Sequence, residues 1–379
     1  MSDAMRGKVV IAGIGATAFG ALGRSTLSLN VEACRLALED AGLEKAAVDA
    51  VMVKTPTSQR EFMYGQKLAE ALGIQPKLGG AWDQGGAANL SLVTFAALAI
   101  AAGQCEVALV SYADNPRSGA RDVYARPRGN DAAHGWFATS AGYAMIHRRY
   151  AHDYDVPAEA FGHVAVTCRS NGAENPRAQL RKPITMAAYL ASPFVVEPMR
   201  RDDCCLVSDG GAALVLMSAA RAASAGIRHA VPILGLGHGQ TSAALTNRPD
   251  LTTTMARAAG ATAFQMAGLT PADMGVAQLY DCFSVTVLMT LEDYGFCKPG
   301  QAAGFVGEGR IARSGDLPIN TAGGLLSETG MPGLQLVHEG VRQMRGQATL
   351  QVPSAEFSLV SNQGGVMDTH ATLILGRAV

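Results

Sequence analysis

The first stretch of this chain able to do chemistry is Gly85-Gly86-Ala87-Ala88-Asn89-Leu90, the head of a run, 87–102, that contains no charged residue. A helix with no wet face is buried all round, and at about sixteen residues this one is too short to span a bilayer. The N-terminus of a buried helix carries unpaired N–H groups and the positive end of the helix dipole, which suit an anion, an oxyanion or a thiolate. Residue 86 is glycine, so only backbone is on offer there. The second stretch, 175–185, places Arg177, Arg181 and Lys182 among Asn and Pro residues, and its charge suits an anionic ligand or a solvated cap. The seven cysteines are scattered without metal-ligand spacing, and the eight histidines do not cluster. This pattern predicts free thiols in a reducing compartment and no structural metal.

The elements that hold these stretches are legible from periodicity. Residues 9–15 form a buried strand leaving through Gly13 and Gly15, without the third glycine and following helix of a dinucleotide fingerprint. A helix follows over 26–41 and stops at Gly42, and the continuous apolar run 107–112 belongs at the centre of a sheet covered on both faces. The chain then repeats itself. Residues 231–237 echo 9–15, the helix ending at Gly268 echoes the one ending at Gly42, and 368–375 echo 209–216. The expected fold is α/β, a duplicated five-layer α-β-α-β-α sandwich whose two central helices point their N-termini into one cleft. Its N-terminal half is 1–113 with 202–228, an inserted loop domain is 114–201, and its C-terminal half is 229–379. Net charge of −1 argues against broad nucleic-acid binding, and no signal region opens the chain, so a cytoplasmic location is expected.

The order of motifs resembles the thiolase superfamily in its sterol-carrier/lipid-transfer branch, over essentially the whole chain. The resemblance rests on 175–185, on Asp203-Cys204-Cys205 ahead of 209–213, on Tyr280-Asp281-Cys282-Phe283, and on 317–327. It implies a nucleophilic cysteine where this chain has Gly86, and a Gly-His-Pro histidine at a position that falls on Gly330. Both residues are absent. The branch's His-Asp-Cys-Phe segment implies an oxyanion donor or acid/base at Tyr280 and an acid/base thiol at Cys282, with Asp281 between them. Backbone near Gly86, Gly330 and Gly365 would stabilise an enolate.

Members without the cysteine and histidine resemble steroid side-chain aldolases, which implies retro-aldol cleavage of a β-hydroxyacyl-CoA. Coenzyme A would then be part of the substrate, with no permanently bound cofactor, and its phosphates would lie near Arg177, Arg181 or Lys182. The resemblance also implies a homodimer and a partner subunit built on an OB-fold. Such aldolases tend to carry a second tyrosine where this chain has Gly330. Two other readings stand beside this one: an acyltransferase using Cys282 as a substitute nucleophile, and a non-catalytic acyl-CoA or lipid-binding subunit.

Overall fold

The computed structural model describes residues 5–119 and 129–378, so residues 120–128 of the expected insertion lie outside the described residues. In the first half, strands β1 (Val9–Ala16), β2 (Ala50–Lys54), β3 (Leu78–Trp82) and β4 (Val107–Asp114) alternate with helices α1 (Thr26–Ala41), α2 (Tyr64–Leu72) and α3 (Ala88–Ala101). Between β4 and the next long strand come α4 (Thr139–Asp153), α5 (Ala158–Glu174), α6 (Met186–Leu190) and a small hairpin, β5 (Phe194–Val196) with β6 (Met199–Arg200). Strand β7 (Gly210–Ser218) and helix α7 (Ala219–Ser224) close the half. The second half runs β8 (Val231–Gln240), α8 (Ala256–Ala267), β9 (Val276–Gln278), α9 (Ser284–Tyr294), α10 (Ala302–Gly307), α11 (Gly324–Ser327), α12 (Gln335–Arg345), β10 (Phe357–Gly364) and β11 (Thr369–Gly376).

Nine strands hydrogen-bond in the order β3-β2-β4-β7-β1-β8-β11-β10-β9, the first five from one half and the last four from the other. The strands of the two halves join where β1 pairs with β8, at Val10 with Pro232 and Ile11 with Val231. The two expected sheets are therefore one sheet folded at a two-residue seam. Helix α3 packs on β2, β4 and β7 and also on β10 and β11, and α12 packs on β9 and β10. With α1 and α2 outside one half and α8 and α9 outside the other, the five layers are complete.

The duplication has a physical signature. A Cβ on Gly13 would collide with the Ala37 carbonyl oxygen of α1 and lie 2.8 Å from Ala41 Cβ, and one on Gly237 would collide with Ala259 of α8. In both halves the strand glycines thus let an outer helix touch the sheet backbone, which is why the Gly-x-Gly spacing recurs without any phosphate to bind. The helices end alike, on left-handed Gly42 and Gly268.

Helix α3 departs from expectation on one side. Most of it is buried, but Phe95 and Leu98 are 39% and 51% exposed, beside Trp82 of the edge strand β3.

Candidate active site

The site is built on the turn between β9 and α9. Asn320, itself left-handed with φ 46°, clamps the strand end, accepting from Leu279 N at 2.7 Å and donating to Leu279 O at 3.0 Å. Thr286 in the first turn of α9 returns its hydroxyl to the carbonyl of Tyr280 at 2.7 Å, and Ser361 of β10 accepts from Tyr280 N at 3.3 Å. The backbone on both sides of Tyr280 is thereby fixed, and its ring is directed at the head of α3.

There the ring fills a slot made by glycines. A Cβ on Gly86 would collide with Tyr280 Oη and with Gln363 O, and would lie 2.6 Å from Tyr280 Cζ. A Cβ on Gly333, where φ is +85°, would lie 3.3 Å from Tyr280 Cε2. Asn362 Nδ2 ties the slot together, donating to Gly86 O at 3.3 Å and to Gly333 O at 3.5 Å. The space in which a side chain at residue 86 would begin is occupied by a phenol.

Cys282 follows on the same turn, 8% exposed. Gln363 Nε2 lies 3.6 Å from its sulfur and also reaches Tyr280 O at 3.4 Å. Burial pushes the thiol up to about 12, against the opposing pull of hydrogen bonds from Tyr143 and Gln363. A buried thiol held protonated at neutral pH is a proton donor and a poor nucleophile.

Tyr143 is the residue that sequence reasoning missed. It comes from α4, is 2% exposed, stacks on Phe283 at 4.3 Å between ring centroids, and donates its hydroxyl to Gly365 O at 3.1 Å. Burial, and after it the Cys282 thiol, holds its hydroxyl well above the usual tyrosine range. The one sequence signal for it was the expectation of two tyrosines in such a site.

Three expectations are corrected by this geometry. Asp281 faces away from the phenol: its carboxylate accepts from Leu325 N at 2.7 Å and Leu326 N at 3.2 Å, and from the Cys168 thiol at 3.4 Å. Fully buried and pushed up to about 6 by burial, it caps α11 and has no direct part in the cleft. Gly330 is likewise misplaced as the cleft residue of its turn. A Cβ there would collide with the Leu206 carbonyl oxygen and lie 2.7 Å from its carbon, so no imidazole or phenol fits, and Gly333 meets Tyr280 instead. Arg177 is engaged elsewhere, donating to Thr17 O at 3.2 Å and lying over the Phe19 ring at 5.3 Å.

The other residues named from the sequence lie as follows. Gly86 lines the slot, Gly365 offers its carbonyl to Tyr143, and Arg181 and Lys182 are exposed. All seven cysteines are free thiols.

A thiolase C-terminal domain-like family model matches residues 237–377. A 17-hydroxy-3-oxo-4-pregnene-20-carboxyl-CoA lyase from Mycobacterium tuberculosis is 37% identical over 98% of this chain and 100% of its own. The chain belongs to the thiolase-like aldolase family. A steroid side-chain-cleaving aldolase from Thermomonospora curvata is also 37% identical, covering 98% of each chain. The solved Ltp2-ChsH2(DUF35) aldolase superposes with a TM-score of 0.89 at 36% identity, covering 99% of both chains. Family membership makes this aldolase an enzyme that acts on a carbon–carbon bond of an acyl-CoA thioester.

Proposed function

We propose that this aldolase cleaves a β-hydroxyacyl-CoA by a retro-aldol step at Tyr280, with a 17-hydroxy steroid 20-carboxyl-CoA as its substrate class. The observation that carries the reading is the exchange at the head of α3, where Gly86 has no side chain and the Tyr280 hydroxyl fills the space. In the step, Tyr280 Oη acts as the base in its phenolate form and takes the β-hydroxyl proton as the bond between the α- and β-carbons breaks. The bonding pair moves onto the thioester as an enolate, the β-carbon becomes a carbonyl, and Cys282 protonates the α-carbon. One proton leaves oxygen and one joins carbon; return of a proton from Tyr280 to the Cys282 thiolate by way of solvent restores both groups, and no oxidant is consumed. Tyr280 is half-buried, so a hydrogen bond to it acts with little competition from water.

The acyltransferase alternative requires a thiolate at Cys282, and burial opposes that ionisation. The amide oxygens of Asn89, Asn362 and Gln363, each at most 1% exposed, have no protein partner among the described residues. Buried polar atoms are normally paired, so these three support a polar ligand at this centre. Arg181 and Lys182 remain the candidates for the coenzyme A phosphates. Charge reversal at both should raise KM several-fold at low ionic strength, with kcat retained.

The aldolase acts as a homodimer. That reading is supported by the edge strand β3 and by Trp82, Phe95 and Leu98, which are 40%, 39% and 51% exposed. An OB-fold partner subunit is supported by the complex in the name of the solved relative and by exposed Phe137, Met145, Phe194 and Val195 around α4 and β5. A cytoplasmic setting suits seven free thiols, and no helix among the described residues is long and apolar enough to cross a membrane.

The test is to incubate the protein, alone and with an OB-fold partner, with 17-hydroxy-3-oxo-4-pregnene-20-carboxyl-CoA. Propionyl-CoA and the 17-ketone are the expected products. An acyl adduct on Cys282 by intact-mass measurement, with no ketone formed, would overturn the reading.

A further inference from the structure

Gln363 is a buried carboxamide that meets both residues to which the proposed step assigns a proton. It lies on β10 opposite His370 of β11, is 1% exposed, and its Nε2 donates to Tyr280 O at 3.4 Å and to Cys282 Sγ at 3.6 Å. Its own main-chain oxygen closes the phenol slot, where a Cβ on Gly86 would collide with it and with Tyr280 Oη. Ser361, two residues earlier on the same strand, accepts from Tyr280 N at 3.3 Å. Strand β10 therefore holds the backbone of Tyr280 through its N–H and its carbonyl, and reaches the thiol with the same side chain that takes the carbonyl.

The carboxamide has one way round. A main-chain carbonyl only accepts, so Tyr280 O requires the nitrogen end, and turning the group over would set oxygen against oxygen. The nitrogen carries two hydrogens and has these two partners, which leaves the sulfur accepting an N–H. The S–H of Cys282 must then point off that line. Gln363 Oε1 has no protein partner among the described residues, so no bond from that end competes for the orientation.

A neutral amide suits a thiol that gives up a proton. An N–H to sulfur is weak while the sulfur is neutral and strengthens when it becomes an anion, because one partner is then charged. The gain falls on the state that forms as the α-carbon takes its proton, which is where stabilisation raises the rate.

We propose that Gln363 is the positioning residue of the acid: one N–H of its Nε2 turns the Cys282 proton away from itself and stabilises the thiolate that remains, and the other holds the backbone of Tyr280 at a fixed spacing from that sulfur. The inference rests on the retro-aldol reading. The enolate supplies the electron pair of the new C–H bond, the pair of the broken S–H bond stays on sulfur, and no bond to Gln363 forms or breaks.

The ionisable groups whose charge bears on the sulfur are Tyr143 from α4, Asp281 on its own turn, and Cys204 and Cys205 on the segment that pairs with that turn. Replacing Gln363 by an uncharged residue removes the donor and leaves those groups in place.

The test uses Gln363→Met in the full-length protein, since methionine is unbranched and of similar length but lacks the donor. The first readout is the rate of iodoacetamide alkylation at Cys282 at a fixed, mildly alkaline pH, resolved by peptide mass spectrometry. Only the thiolate reacts, so this rate follows the ionised fraction and should fall about ten- to a hundred-fold. A loosened fold would raise it instead. Exchange of the α-protons of propionyl-CoA in D2O and cleavage of the steroid thioester should slow together by about ten- to a hundred-fold, with KM within about two-fold. In a Cys282→Ala background the same substitution should slow cleavage by no more than about three-fold, because the group it acts through is gone. Gln363→Leu, which also lacks the donor, takes its place if Gln363→Met loses its cooperative melt. An alkylation rate that is unchanged or raised, or a full further loss of cleavage in the Cys282→Ala background, overturns the proposal. Loss of the cooperative melt in both variants overturns it as well, since Gln363 would then be a residue of the fold. If alkylation slows but the unsubstituted protein neither exchanges nor cleaves, the hydrogen bond to Cys282 stands and the lyase reading fails.

Discussion

A phenol and a glycine occupy one slot at the head of α3, and in the proposed reaction their substitutions should behave as one. Tyr280→Phe removes one O–H and almost no volume. Turnover should fall about a hundred- to a thousand-fold, as for loss of a single general acid/base or oxyanion donor, with the melting temperature nearly unchanged. A core hydroxyl would instead alter stability by roughly a kcal/mol and leave the rate alone. Gly86→Ala places a Cβ against both Tyr280 Oη and Gln363 O, so the ring must leave its slot. Activity should drop at least as far as in Tyr280→Phe, here with a lowered melting temperature, and a fully active Gly86→Ala would sink the slot argument. The absence of a nucleophile at 86 and the phenol at 280 were both legible in the sequence. That the two touch was not, because only the fold brings β9 to the head of α3. Tyr143 was less legible still: it lies in a region of mixed composition, and no local pattern gives the register of α4 against the cleft.

The elements around the site are held by buried carboxylates, and these have consequences for pH. Glu328 sits where α11 ends, accepts from Asn175 Nδ2 at 3.2 Å, and is pushed by burial from 4.5 up to about 7, with its second oxygen unpartnered among the described residues. The folded protein therefore binds a proton that the unfolded chain releases near pH 4.5. Its contribution to stability is full below that pH, declines as pH rises, and is lost by about pH 7, a change of at most roughly 3 kcal/mol. Glu328→Gln should flatten the fall in melting temperature between pH 5 and 7, and parallel profiles for the two proteins would refute the assignment. Asp281→Ala tests the other carboxylate. Two amides at the start of α11 lose their acceptor, so stability should fall by about 2 kcal/mol in denaturant titration, with the loss in turnover following from the displaced turn. Motif position suggested a catalytic Asp281. Alternation along an extended turn explains the difference: residues 280 and 282 face the cleft, so 281 faces away.

At the scale of the whole molecule, the duplication was readable because it is written in residues that local physics constrains: strand glycines against an outer helix, and glycine stops. The assembly was harder to read. An uncharged α3 looked buried on every face, and in the single chain Phe95 and Leu98 are exposed. Covering them with a second copy reconciles the two observations, since a helix buried only in the dimer carries the same sequence signature as one buried in the monomer. Leu98→Glu puts a charge in that contact and should give monomers by sedimentation velocity, while a dimer unchanged at micromolar concentration would place the interface elsewhere. The filled slot at the head of α3 also has a consequence for life in a stressed cell. Oxidants and alkylating metabolites damage proteins where a sulfur is both ionised and accessible. At the head of this helix there is no sulfur, and the nearby Cys282 is buried and held protonated. The aldolase should therefore keep working through peroxide exposures that silence relatives dependent on a reactive cysteine.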